Sequence, residues 1–254
     1  SITMTTIMFA DDTNFFLTNK NIKQLFSDMN EELSNFNIWF KANKLSLNAG
    51  KTKFTLFHKT SQPEYIPLKL PTLAMNNTVL KQKDSLKFLG VIIDETLSWK
   101  NHINVLESKL ASAIGLLYRS RPFLNLNSRL LFYYSFIHSH LSYANIAWGS
   151  THPTKFKKLA RQRDIYKILK FKSRMDSAFP IMEELKILNV FNINIYQILI
   201  FMFKFTKKDL PLNFDLFFQE NRSVRYNLRV NTQDHFRLPK NTCKYIEHSL
   251  AYRG

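Results

Sequence analysis

An α+β fold, with short antiparallel strands and one packed helix first and a mainly helical region after them, follows from three features of the sequence. Runs rich in Thr, Ile and Phe flank an acidic pair near the N-terminus, apolar residues recur at helical spacing between residues 20 and 43, and two further helical stripes fill residues 98–150. Length and composition agree. With 254 residues, 45% of them hydrophobic and 14% aromatic, the chain can build one large or two modest cores.

Taken in order, Thr3 to Phe9 and Thr13 to Leu17 read as two strands joined by a turn at Asp11-Asp12. Ile22, Leu25, Phe26, Met29, Leu33, Phe36 and Phe40 then predict a helix packed on one sheet face. Lys53 to Phe57 suggests a strand, Pro63, Pro67 and Pro71 mark loops and edges, and Leu86 to Ile93 resumes the sheet. Ser98 is the predicted N-cap of a helix whose stripe is Ile103, Leu106, Leu110, Ala113 and Leu117. Asn127 is the predicted cap of a second, with Leu130, Tyr134, Ile137 and Leu141 inward, the two lying antiparallel. Beyond Thr151 the pattern stays helical to Lys208 and then becomes loop-like. Three regions result: 1–97, 98–150 and 151–254.

The apolar run from Val190 to Phe205 is interrupted by Asn192, Asn194, Gln197 and Lys204 and falls short of the roughly 20 apolar residues of a membrane span, so it predicts a buried helix. A single cysteine, Cys243, excludes a disulfide framework and a cysteine-rich zinc site, and fits an intracellular setting, nuclear or cytoplasmic. No signal peptide or basic leader opens the sequence. His138 and His140, two apart on a helix, point away from each other and predict one surface and one core histidine.

Charge is the strongest compositional feature. The net +17 attracts polyanions, chiefly nucleic acid, and its excess is concentrated in residues 151–254, with 20 basic and 9 acidic residues. Within Lys155 to Arg174 the cations Lys155, Lys157, Lys158, Arg161, Arg163 and Lys167 meet one acid, Asp164, while Phe156, Leu159, Tyr166 and Leu169 can line the other side. That is an amphipathic basic helix, readable either as a solvated face or as a surface that follows a phosphate backbone.

At the N-terminal hairpin tip, Asp11 and Asp12 can both reach one hard cation such as Mg2+, which takes oxygen ligands. Ordinary turn chemistry explains the same dipeptide, and taken alone it favours that plainer reading.

The order of the elements downstream of the pair changes its meaning. Phe9-Ala10-Asp11-Asp12, then Leu47-Asn48 with Lys51-Thr52, then Phe88-Leu89-Gly90 resemble the end of the palm of a reverse transcriptase, above all that of the jockey-like non-LTR retrotransposons. Ser142-Tyr143-Ala144-Asn145 with Trp148-Gly149 resembles the thumb. Leu185, Leu188, Leu210-Pro211 and Tyr226-Asn227-Leu228-Arg229 resemble the tail beyond it. The resemblance implies a partial palm followed by a mainly α-helical thumb and C-terminal region. It implies that Asp11 binds catalytic Mg2+ with Asp12 assisting, that Lys51 is the acid for the pyrophosphate leaving group, and that Phe88, Leu89 and Gly90 grip the primer end. The implied partners are an RNA template and a DNA primer, with no membrane and no defined protein partner.

In that family the fingers and the palm strand with the first metal-binding Asp precede the Asp-Asp hairpin, and here only about eight residues precede Phe9. The expectation is therefore a fragment of an RNA-directed DNA polymerase, inactive alone, since a two-metal centre needs the absent carboxylate. Apolar surface left uncovered by the absent parts would lower solubility. A non-catalytic nucleic-acid-binding remnant is the alternative. A metal-dependent phosphodiesterase built on Asp11 and Asp12 is a third reading, but no second acidic cluster accompanies it, because Asp94 and Glu95 read as a turn after a strand.

Overall fold

The computed structural model of this chain describes residues 4–45, 48, 50–59, 70–76, 78–149, 151, 154, 159, 163–173, 175–216, 218–220 and 236–237. They fall into two units, Ser1–Ser98 and Trp99–Gly254.

In the first unit, β1 (Thr5–Phe9) and β2 (Asp12–Phe16) pair antiparallel with Phe9 opposite Asp12. Helix α1 (Ile22–Ala42) starts where Asn21, itself extended, accepts from the backbone N–H groups of Lys23 and Gln24 at 2.9 and 3.3 Å. Its predicted stripe is the face that packs. Phe26 and Leu33 join Leu73, Met75 and Leu80 in the core, with Phe15, Ile22, Met29, Phe54 and Leu56 against them.

Two polar residues of α1 have roles that periodicity does not reveal. Asp28 is buried, and its carboxylate accepts from Gln24 Nε2 at 2.6 Å and Asn19 Nδ2 at 3.2 Å, which offsets its desolvation. Asn30 donates to the Thr72 carbonyl at 2.9 Å and accepts from the Ala74 N–H at 3.0 Å, so a side-chain amide stands in for a neighbouring strand.

Every described sheet has two strands. The strand expected over residues 53–57 narrows to β3 (Lys53–Phe54); β4 (Ala74–Met75) pairs with β5 (Thr78–Val79), and β6 (Lys81–Gln82) runs parallel to β3. Past Phe54 the ladder gives way to a side-chain bond, Thr55 Oγ1 to the Lys83 carbonyl at 2.7 Å. Instead of resuming the first sheet, residues 86–93 lie in a hairpin of their own, β7 (Ser85–Phe88) with β8 (Val91–Asp94). Pro71 lies in an irregular stretch, while Pro63 and Pro67 lie outside the described residues.

The predicted cap Ser98 is corrected. Its N–H donates to Asp94 Oδ1 at 2.8 Å, alongside Thr96 Oγ1 at 2.8 Å, so buried Asp94 organises the turn after β8. The N-cap position of α2 (Lys100–Ser120) belongs to Trp99, with φ 59° and no side-chain cap.

In the second unit, α2 buries Ile103, Leu106, Leu110 and Leu117, as its stripe predicts. The next cap is Asn125, not Asn127: Asn125 is extended and accepts from the Ser128 N–H at 2.8 Å, whereas Asn127 is already inside α3 (Leu126–Tyr133). A π-helical turn, Tyr134–His138, separates α3 from α4 (Ser139–Ser142). That wider turn shifts the inward face by one residue. Tyr133 is therefore fully buried with Ile137 and Leu141, while the predicted Tyr134 is 45% exposed. His138 and His140 are both half-buried.

Helices α5 (Asn145–Trp148), α6 (Arg163–Leu169), α7 (Phe179–Leu185) and α8 (Val190–Thr206) follow, then a 3-10 turn, Leu212–Leu216, and the pair β9 (Gln219–Glu220) and β10 (Phe236–Arg237). Leu159, Tyr166 and Leu169 are buried as predicted for the basic segment, but its described helix stops at Leu169 and does not continue toward Arg174. The expectation of a buried α8 holds on one face only. Val190, Ile193, Asn194 and Ile198 are buried, while Ile195, Tyr196, Leu199 and Phe203 are more than half exposed. No single described helix is long and apolar enough to cross a membrane; α7 and α8 reach that length only together, bent by 41° at the break between them.

One polar contact locks this unit. Asn145 and Asn194 are both buried; Asn194 Nδ2 donates to Asn145 Oδ1 at 2.7 Å, and Asn145 Nδ2 donates to the Leu141 carbonyl at 2.8 Å. Gly149 lies against the pair. A Cβ there would overlap Asn194 Nδ2 and the Asn145 carbonyl and lie 2.8 Å from Asn145 Oδ1. Beside it Trp148 is fully buried and donates from Nε1 to the Tyr143 carbonyl at 2.8 Å.

Helix ends show a second regularity. At Lys44, Phe171, Lys186 and Lys208 the backbone turns left-handed, with φ of 53–58°. The residue after each donates to a helix carbonyl five positions earlier, as Lys172 does to Lys167 at 2.9 Å and Ile187 to Met182 at 3.0 Å. Glycine usually fills the left-handed position, but this chain has 5 glycines in all.

Gly149→Ala forces the Asn145–Asn194 pair apart and should destabilise the chain by about 1–3 kcal/mol in urea unfolding. Acid should act on the same unit. Burial lowers the pKa of His102, His138 and His140, and Lys109 adds to the effect at His102 and His140. Their folded pKa values lie below the ordinary value of about 6.5, so their stabilisation is complete above that pH and is lost as pH falls through it. The urea midpoint should drop between about pH 7.5 and 5.5, and His102→Gln should flatten that slope.

Candidate functional site

The acidic hairpin is closed by a two-residue loop. Because Phe9 pairs with Asp12, the loop is only Ala10-Asp11, and of these two Ala10 alone has positive φ, 51°. That sign pattern belongs to the type II′ turn, whose twist matches the two strands. Asp11 therefore occupies the loop and Asp12 the first position of β2. Both are exposed, as are Phe9 and Met8 of β1, at 60% and 59%.

Lys51 is positioned by a different device. The Asn48 carbonyl accepts from the N–H groups of Lys51 and Thr52 at 3.0 and 3.1 Å and from Thr52 Oγ1 at 3.0 Å, and Asn48 Oδ1 accepts from the Lys51 N–H at 3.1 Å. The asparagine of Leu47-Asn48-x-x-Lys51-Thr52 thus folds the turn on which an exposed lysine stands. Asx-type turns of this kind explain why that residue type occupies that position.

Phe88, Leu89 and Gly90 form the end of β7 and its turn. Phe88 pairs with Val91, leaving Leu89 and Gly90 as the loop, with φ of 44° and 85°. Positive φ at both positions is the type I′ pattern, for which Asn-Gly is the preferred pair. Leucine at the first position is a costly choice for the backbone, and it leaves an apolar, half-exposed side chain at the tip.

The metal test is one of donor chemistry. Asp11 and Asp12 offer two adjacent carboxylates, and among the described residues no group of three or more His, Cys, Asp or Glu side chains could hold an ion. That set does not fit a two-metal centre, whose carboxylates must clamp ions roughly 3.5–4 Å apart. Asp94, the nearest thing to a further acidic candidate in the sequence, is spent on the Thr96 and Ser98 bonds.

Of the predicted basic surface, Lys155, Lys157, Lys158 and Arg161 lie outside the described residues. Arg163 opens α6 and Lys167 is half-buried on it. Lys170, just past its end, pairs with Glu184 at 2.5 Å.

The thumb-like motif has a local explanation. Asn145, Trp148 and Gly149 build the buried node between α5 and α8, the Tyr143 carbonyl accepting from Trp148 and Ala144 turning left-handed at φ 50°. Sequence reasoning missed Asn194, the partner of that node, which reads only as an interruption of an apolar run.

Sequence comparison relates this chain, distantly and in part, to RNA-directed DNA polymerases of mobile elements. Over 154 residues, 59% of this chain and 16% of the relative, it is 25% identical to the RNA-directed DNA polymerase from mobile element jockey of Drosophila funebris. Over 130 residues, 49% of this chain and 13% of the relative, it is 24% identical to the probable RNA-directed DNA polymerase from transposon X-element of Drosophila melanogaster. The chain thus spans a small part of the polymerases it matches. No protein-family model matches it, and no solved structure does.

The β7–β8 turn offers a direct check. Gly90→Val puts a β-branched residue at φ 85°. It should cost about 1–2 kcal/mol in urea unfolding, whereas Leu89→Asn should be neutral or stabilising.

Proposed function

We propose that this chain is a segment of a non-LTR retrotransposon RNA-directed DNA polymerase, comprising the last part of the palm, the primer-grip hairpin and the thumb. The observation that carries the reading is the ordered set of tight turns. An acidic two-residue tip at Asp11, an asparagine-folded lysine turn at Lys51 and an apolar-tipped hairpin at Leu89 follow one another in the order of that family's motifs. Distant similarity to two mobile-element polymerases supports it.

Within this reading Asp11 and Asp12 are the chain's share of a magnesium site, Lys51 faces the leaving group, and Phe88, Leu89 and Gly90 hold the primer end. Two adjacent carboxylates are a partial donor set for a two-metal centre, and on this reading the chain does not polymerise alone. Its partners are an RNA template and a DNA primer, met through a net charge of +17, in an intracellular setting. The incomplete donor set with this charge favours a second reading, a nucleic-acid-binding remnant without catalysis.

Primer extension separates the two. The purified chain with Mg2+ and a primed RNA template should give no product, and a complementing segment that carries the first palm aspartate should restore it. Asp11→Asn should then cut the restored rate about 100-fold or more, on the order of several kcal/mol of lost charge stabilisation. Extension by the chain alone would reject the incompleteness; failure of complementation together with tight RNA binding would favour the remnant.

A further inference from the structure

Phe171 occupies a position its side chain does not suit. At the three other left-handed helix ends of this kind among the described residues the residue is lysine, whose charge is favoured beside the terminal carbonyls. A phenylalanine gains nothing of that sort, bears φ 55°, and leaves 51% of its surface in solvent. Its neighbours are two guanidinium groups. Arg129 Cζ lies 4.4 Å from the Phe171 ring centroid; Arg121 Cζ lies 5.2 Å from it and 4.2 Å from that of Tyr118, itself 53% exposed. Rings and cations therefore alternate: Tyr118, Arg121, Phe171, Arg129.

The charge in this cluster is not balanced. Arg129 is only 8% exposed; its Nε donates to the Asn125 carbonyl at 3.3 Å, while its buried Nη1 has no acceptor. Burial, and secondarily Arg121, lowers its pKa. Among the described residues no carboxylate forms an ion pair with either arginine. The sequence shows why: from Ser108 to Arg163 it contains no Asp or Glu. Of the acids beyond that interval, Glu184 pairs with Lys170 and Asp176 accepts from the Ser173 N–H at 2.7 Å.

We propose that Arg121, flanked by Tyr118 and Phe171 and backed by the buried charge of Arg129, forms a site for single-stranded nucleic acid, its guanidinium taking a phosphodiester and the exposed parts of the two rings an adjoining base. Arginine matches phosphate oxygens with paired donors, and the buried charge of Arg129, which has no carboxylate partner among the described residues, adds to the positive potential behind Arg121. The half-exposed rings select the strand. Inorganic phosphate or a lipid headgroup would use the charges and leave the rings idle, whereas bases stack on aromatic side chains whatever their identity. This site deepens the nucleic-acid reading and rests on it, but it lies outside the motifs that carry the polymerase assignment.

The test is fluorescence anisotropy of the full chain with a labelled thymidine strand of about ten nucleotides. Arg121→Gln should weaken binding roughly fivefold or more and lower the salt slope by about one phosphate, while the charge-matched Lys186→Gln should change affinity less than about twofold. Phe171→Asn suits the left-handed backbone, so it should keep the melting temperature while weakening binding roughly fivefold. Four results would overturn the proposal: no binding by the unaltered chain, equal losses for Arg121→Gln and Lys186→Gln, unchanged affinity in Phe171→Asn, or Arg121-dependent binding to phosphatidylserine vesicles or inorganic phosphate as strong as to the strand. Primer extension with a complementing segment does not depend on these outcomes, so the two proposals fail separately.

Discussion

Asn145 and Asn194 hold the second unit in register. Each amide is fully enclosed, and an enclosed amide without a partner costs about 1–3 kcal/mol. Joining them satisfies both and fixes α5 against α8 at one position, because the short 2.7 Å bond and the Leu141 carbonyl leave little freedom to slide. Much of the neighbourhood depends on this. Gly149 has no Cβ because the amides fill its space, and Trp148 can bury its ring because its indole N–H reaches the Tyr143 carbonyl. Apolar packing through Ile103, Leu106, Leu110, Tyr133 and Ile193 then supplies the bulk of the stabilisation, but hydrophobic contact does not by itself choose a register.

A second constraint is the shortage of glycine. Among the described residues, ten other than glycine adopt positive φ, at hairpin tips, helix starts and helix ends. Lysine tolerates the helix-end position with some gain from the local dipole, and asparagine at 76 is a usual choice for a turn. Ala10, Leu89, Leu97, Trp99, Ala144 and Phe171 have no such compensation. Ala10 and Leu89 form hairpin tips, Leu97 and Trp99 lead into α2, Ala144 precedes α5, and Phe171 follows α6.

Helices α1 and α2 are legible in the sequence because seven and five apolar residues, respectively, repeat with the helical period, and most of them lie inward. The acidic tip is legible from β-rich flanks around a polar pair. Caps are less so: Ser98 and Asn127 have suitable side chains, yet Asp94 and Asn125 take the N–H groups that matter, which depends on backbone angles and not on residue type. The π turn after Tyr133 leaves no mark in the sequence, since it adds a residue to one turn without changing composition. Asn194 and the Phe171 cluster are hidden for another reason. Their partners lie far along the chain, 49 residues away for Asn145, and no local pattern encodes such a pairing.

The sheet arrangement carries a kinetic consequence. β1–β2 and β7–β8 are each closed by two residues, so register is fixed within about a dozen residues and needs no distant strand. Hairpins of this size form in about 1–10 μs, whereas closing the 49-residue interval between Asn145 and Asn194 carries a larger loop entropy. The acidic tip and the apolar tip are therefore early, self-contained products of folding, each ready to meet a neighbouring strand before the helical unit has locked.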